Sequence, residues 1–168
     1  MDLALFTTTR VLHIATAIVL VGGTFFVRFV LMPAATANLA DDVHAKLRGA
    51  IMATWKRIVH LGIALFIITG GINYYRVIAA GTHKGDPPYN ALLGIKILLA
   101  LVVFFIASVL VGRSAKFDGM RRDARKWLML NLILAAVIVA ISGFLKVRDV
   151  PPELKAARSQ ATAGSENN

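Results

Sequence analysis

The chain has 168 residues, 57% of them hydrophobic and 17% charged, with a mean hydropathy of +0.68 and a net charge of +10. So apolar a composition excludes disorder and argues against a soluble domain with a polar skin. With no cysteine there is no disulfide framework, thiolate metal site, iron–sulfur cluster or cysteine nucleophile. The positive charges punctuate apolar runs, so the chain reads as a membrane protein with no nucleic-acid partner.

Four runs are long and apolar enough to cross a bilayer, which takes roughly 20 residues of helix. Helices are the form that satisfies their backbone in lipid. The first run is interrupted only by Arg28, and it reads as a span, not a cleavable signal: Asp2 precedes it, no basic stretch opens it, and no small-residue cleavage context closes it. The second lies between Lys56-Arg57 and Arg76, the third contains only Lys96, and the fourth runs from Arg125-Lys126 to Lys146. The expected fold is all-α: a transmembrane four-helix up-down bundle over residues 1–150, with spans at about 9–35, 56–78, 91–112 and 126–147. Residues 151–168 read as a disordered polar tail.

The connections after spans one and three carry Lys46, Arg48, Lys56, Arg57, Arg113, Lys116, Arg121, Arg122, Arg125 and Lys126, against Arg10, Arg76, Lys84, Lys146 and Arg148 on the other side, the distal tail left out. Ten against five places the first set in the cytoplasm and both termini outside. Both cytoplasmic connections read as helical, so helices 2 and 4 extend into the cytoplasm. Asp41-Asp42 is the expected cap of the first, with Val43, Leu47, Ile51 and Trp55 on one face and His44, Lys46 and Arg48 on the wet side. Asp118 is the expected cap of the second. Gly81, Gly85 and Pro87-Pro88 mark 80–90 as a turn, with His83 solvated. The small residues Gly22-Gly23, Gly62, Ala64 and Gly70-Gly71 permit close helix approach.

Ionisable groups inside spans are expensive and therefore candidate sites. They are His13, Arg28, His60 and Lys96, joined by Asn73 and Asn131. Antiparallel connectivity sorts them into two layers: His13, Lys96, Asn73 and Lys146 near the outer end, and Arg28, His60, Asn131 and Met129 near the inner end. His13 and His60 are then about 14 residues, or ~20 Å, apart in depth. One iron cannot take both as ligands, since each must lie ~2 Å from it. Lipid-facing Arg28 or Lys96 would simply snorkel to headgroups, and a lone His60 would bond a carbonyl. An imidazole and an ammonium at one level, however, suit a porphyrin carrying carboxylates or an anionic quinol-like substrate. Phe25, Phe26, Phe104 and Phe105 can line such a slot or merely fill the bundle.

Leu12-His13 followed by Gly22-Gly23, Phe26, Arg28 and Met32-Pro33 resembles the first helix of the CopD/HemJ-like membrane proteins. Arg57-Ile58-Val59 through Thr69-Gly70-Gly71 is similar to the CopD-domain helix that ends in Thr-Gly. Leu92-Leu93-Gly94-Ile95-Lys96-Ile97-Leu98-Leu99 resembles that family's lysine-bearing third helix, and Asn131 and Lys146 resemble residues of HemJ's last helix. The likeness covers nearly all of residues 8–148.

The resemblance implies a bacterial inner-membrane location and two distinct roles. HemJ-type proteins are linked to oxidation of protoporphyrinogen and bind haem b, depending on a first-helix histidine and a third-helix lysine; His13 and Lys96 match these, with Arg28 and Asn131 as further cofactor contacts. CopD proteins are associated with copper passage and copper resistance. The chain lacks HemJ's first-helix tryptophan, the histidine closing that helix and the Glu-Val-Pro after its last-helix asparagine, and it has four spans where full-length CopD proteins usually have eight. Copper(I) favours sulfur and imidazole, so His13 and, at the inner end, His60 with Met129 or Met32 are the candidate metal ligands. A third reading is a non-catalytic accessory subunit. No flavin or nucleotide motif is present, so a redox role requires a quinone or a redox partner protein; other partners are the lipid bilayer and, for a homo-oligomer, a second copy.

Overall fold

A computed structural model describes residues 3–81 and 83–148, with the single positions 152 and 156 beyond them. The tail expected over 151–168 therefore lies, but for those two positions, outside the described residues. All the regular structure described is helical. Helix α1 spans Leu3–Phe26, a π-helical turn covers Val27–Leu31, α2 spans Met32–Asn38, α3 Asp41–Ala79, α4 Pro87–Val111, α5 Asp118–Arg122 and α6 Ala124–Val147. Among the described residues four helical rods are long and apolar enough to cross a membrane: Ala4–Asn38, Asp41–Ala79, Pro87–Val111 and Ala124–Val147.

The first rod begins earlier than its apolar run because its hydroxyls satisfy themselves. Thr9 donates to the Phe6 carbonyl at 3.0 Å, Thr16 to Leu12 at 2.8 Å and Thr24 to Leu20 at 2.7 Å, so threonine is carried inside the helix without an orphaned donor. The π-helical turn sits just ahead of Pro33. That residue has no N–H, and in a regular α-helix its ring would crowd the carbonyl four residues back. The Met32 amide reaches instead to the Val27 carbonyl, one residue further than an α-helix allows.

Helix α3 has 39 residues, which at 1.5 Å per residue is about 58 Å, well beyond a hydrocarbon core of about 30 Å. Its N-cap is Ala40 rather than the expected Asp41-Asp42; these two occupy the first turn, where their charge complements the helix terminus. The expected single extension of helix 4 is divided. A 3-10 turn over Ala115–Phe117 leads into α5, and the chain breaks at Asp123 before α6 starts. The turn before α4 uses positive φ at Gly81 (58°) and Gly85 (80°). Asp86 then caps α4, accepting from the Tyr89 amide at 3.2 Å, with Pro87-Pro88 in the first turn, where no amide is needed.

Each rod packs on its neighbours in sequence, and α6 returns to α1, which closes an up-down four-helix bundle. The tightest pairings are α1 with α3 and α4 with α6, so the molecule is two antiparallel hairpins joined along thinner seams. The α1–α3 pairing is close because a Cβ on Gly62 would stand 2.5 Å from Leu20 Cδ1 and one on Gly23 would stand 2.8 Å from Trp55 Cζ3. Only a few apolar side chains, such as Val59, Ile106 and Val109, are buried, while Ile18, Leu61, Ile67, Leu98 and Val139 stand exposed on the outside. An apolar coat around a thin core inverts the soluble arrangement. The protein is a multi-pass membrane protein whose outer face contacts lipid.

Candidate functional site

His13 projects from α1 against α3. Its Nδ1 lies 2.7 Å from Thr69 Oγ1, and the Thr69 hydroxyl donates to the Leu65 carbonyl at 2.6 Å. A hydroxyl has a single proton. With that proton directed to Leu65, the arrangement fits an imidazole that donates at Nδ1 and keeps the Nε2 lone pair free. Thr69 is 2% exposed and so fixed in place. Phe66 meets the imidazole edge-on at 4.8 Å between centroids and stacks in turn on Phe104 at 5.6 Å. Gly70 passes under the ring, where a Cβ would come 3.6 Å from His13 Cε1.

Lys96 on α4 is within electrostatic reach of His13, and Arg10 of Lys96. With Phe66 stacked on Phe104, Lys96 falls level with about Tyr74, roughly a turn and a half outward of Thr69 and hence of His13. Lys96 makes no hydrogen bond or ion pair among the described residues. One turn beyond Thr69 on the same face of α3, Asn73 Oδ1 is buried and lacks a donor. Arg76 stacks on Phe6, its guanidinium 3.8 Å from the ring centroid, with Arg10 5.8 Å away on that ring.

Arg28 and Asn131 occupy a separate place. Both line a cavity of about 740 Å³ between the two hairpins. Arg28 lies within the π-helical turn, over the Phe29 ring at 5.2 Å, and its Nε is buried without a partner. Asn131 is 8% exposed, and its Oδ1 also lacks a donor. The four expected cofactor contacts therefore divide into His13 with Lys96 at one end and Arg28 with Asn131 at the other. His44 and Arg48, expected on the wet side of their helix, line the rim of this cavity, with Arg48 exposed and His44 Nε2 3.5 Å from Thr36 Oγ1.

The inner-end copper pair is not assembled. His60 is exposed, with Nδ1 2.7 Å from the Lys56 carbonyl of its own helix, and Met129 is 37% exposed. They sit on α3 and α6, which face each other across the bundle's diagonal, so outward-facing residues there cannot share an ion. Met32 lines the cavity, away from that outer surface. The depth between the histidines also needs revision. His13 is level with Thr69, nine residues from His60, so the separation is about 13 Å rather than ~20 Å. The estimate from span ends misplaced the register because the first rod starts at Leu3. The gap still exceeds what one iron bridges.

A cluster at the end of the bundle that holds the turn before α4 was not legible in the sequence. Arg148 Nη1 donates to both Asp86 oxygens at 3.0 Å, and Nη2 donates to Oδ1 at 3.0 Å. His83, far from solvated, stacks on Tyr89 with centroids 3.5 Å apart and Nδ1 3.6 Å from Asp86. Burial alone would raise the Asp86 carboxyl, but the Tyr89 amide and the Arg148 guanidinium outweigh it and hold its pKa below the ordinary value. The pairing joins residues 62 apart in sequence, and no local pattern announces it. No protein-family profile, curated protein or solved structure matches the chain.

Proposed function

We propose that this chain is a CopD/HemJ-like membrane protein that binds haem b or a porphyrin at His13, for redox chemistry of the protoporphyrinogen oxidase type. The observation that carries the reading is the 2.7 Å contact between His13 Nδ1 and Thr69 Oγ1. A ring nitrogen fixed from behind in this way orients the other as a ligand or proton acceptor, as second-sphere partners do at metal sites. The donor set fits such a group: Nε2 offers a lone pair, the unpaired Lys96 ammonium with Arg10 beside it suits a carboxylate, and Asn73 Oδ1 can accept a pyrrole N–H. Bound haem would supply one-electron exchange, with a quinone or a redox protein as the further acceptor. His13 holds and orients, Lys96 neutralises carboxylate charge, and Phe66 and Phe104 keep water from the imidazole. The excess of cations at the inner end supports a cytoplasmic position for that end of a bacterial inner-membrane protein.

Absorbance of protein purified in mild detergent after haem-supplemented expression tests the reading. A Soret band with a reduced α-band, abolished in His13→Ala and weakened in Lys96→Met, is the expected result. Colourless protein would overturn it. Stoichiometric copper in that colourless protein would point to copper transport, and metal-free protein to an accessory subunit.

A further inference from the structure

The cavity between the hairpins has a composition that the redox reading does not use. Arg28, Arg48, Arg113, Arg121, Arg122 and Arg125 line it, and no aspartate or glutamate does. Among the described residues only Arg121 of these has a carboxylate partner, Asp118. The nearby carboxylates of Asp42 and Asp123 are engaged by Lys46 and Lys126 instead. Cations gathered without counter-charge repel one another, most strongly where low dielectric borders them. Two donors, Arg28 Nε and Arg121 Nη1, are buried and unpartnered, and Asn131 Oδ1 is a buried acceptor without a donor. An anionic ligand with a hydrogen-bond donor would satisfy both these open groups and the surplus positive charge.

The rest of the wall narrows the class of ligand. Val27, Met52, Val59, Leu110 and Leu128 give the cavity an apolar side. A soluble anion would leave that side to water, whereas an amphiphile covers it. We propose that the cavity binds the headgroup of an anionic glycerophospholipid bearing a phosphodiester and a free hydroxyl. The guanidinium forks take the phosphate oxygens, a geometry that favours arginine over lysine. The hydroxyl donates to Asn131 Oδ1, and an acyl chain lies along the apolar side. Basic pockets between membrane helices bind such headgroups on general grounds of charge and depth.

Trp55 lines the cavity and provides the readout. Full-length Trp127→Phe protein in mild detergent is titrated with phosphatidylglycerol carrying brominated chains, and quenching of Trp55 is followed. Saturable quenching is expected, with brominated phosphatidylcholine binding at least about tenfold more weakly. Arg28→Gln and Arg122→Gln should each lose about tenfold in affinity, the scale of one hydrogen bond between charged groups. Lys126→Gln, outside the cavity, and His13→Ala, at the other end, should bind as the parent does. Equal quenching by the two lipids, or arginine variants that bind like the parent, would overturn the proposal. So would inorganic phosphate that binds and displaces the lipid at comparable concentration, since the site would then belong to a soluble anion. If Arg28→Gln does not fold, Arg113→Gln and Arg122→Gln at the exposed rim decide the matter.

Discussion

Replacing Thr69 by valine keeps the shape of the side chain and removes the one acceptor that fixes His13. In the parent protein, the 2.7 Å contact with Thr69 Oγ1 and the 2.6 Å donation from Thr69 to Leu65 together favour a proton on Nδ1. A net hydrogen bond is worth about 1 kcal/mol, and 1.4 kcal/mol is a factor of ten. Loss of Thr69 should therefore shift the tautomer ratio of His13 away from Nδ1–H by about fivefold. The loss also leaves a half-buried donor unpaired. At a loaded site, removal of such a supporting partner costs about 10- to 100-fold in affinity. Nitrogen-15 NMR of histidine-labelled protein reads the two ring nitrogens directly, and pigment retained per mole reads the ligand. Thr69→Ser keeps a hydroxyl and should preserve both signals. The reasoning fails if His13 in the parent protein carries its proton on Nε2, or if Thr69→Val leaves the nitrogen shifts unchanged.

Gly23→Ala should destabilise the bundle by about 1–3 kcal/mol through overpacking against Trp55, whereas Gly22→Ala, which meets nothing within 4 Å, should be neutral or slightly stabilising; unfolding midpoints in detergent compare them, and equal midpoints would refute the packing argument. Because the Asp86 pKa is depressed in the folded state, its pairing with Arg148 stabilises the fold at and above the ordinary carboxylate pKa of about 4 and is lost as pH falls below it, through the lower folded value. The melting difference between the parent and Asp86→Asn should thus be constant near neutrality and vanish in acid; a difference that does not change with pH would contradict this. Lys96→Met should still insert and fold while retaining less porphyrin, as absorbance per mole reports, and unchanged retention would make Lys96 a lipid-facing cation.

The four crossings were legible because lipid imposes one rule on every segment: a continuous apolar run with its charges at the ends. The third and fourth apolar runs consequently fall on the helices Pro87–Val111 and Ala124–Val147. The first was underestimated because Thr7, Thr8, Thr9 and Arg10 look polar in a hydropathy profile, which cannot register that Thr9 donates within its own helix and that Arg10 lies over Phe6. At the candidate site the residue types were legible, but their partners were not. Histidine and lysine inside spans stand out on cost alone, whereas Thr69, the residue that determines which nitrogen of His13 is free, resembles any other threonine until α1 and α3 are in register. Arg28 and Asn131 were grouped with His13 by resemblance. Depth separates them, and Pro33 in the first turn of α2 was the available clue that the backbone around Arg28 departs from a regular helix.

The division into two antiparallel hairpins has a mechanical consequence. Each hairpin satisfies its most intimate packing internally, so the arginine-lined cleft is bounded by two bodies meeting along a thin joint. Its width follows the angle between those bodies more than the rotamer of any wall residue. A charged guest lodged there would act as a wedge or a clasp on that angle.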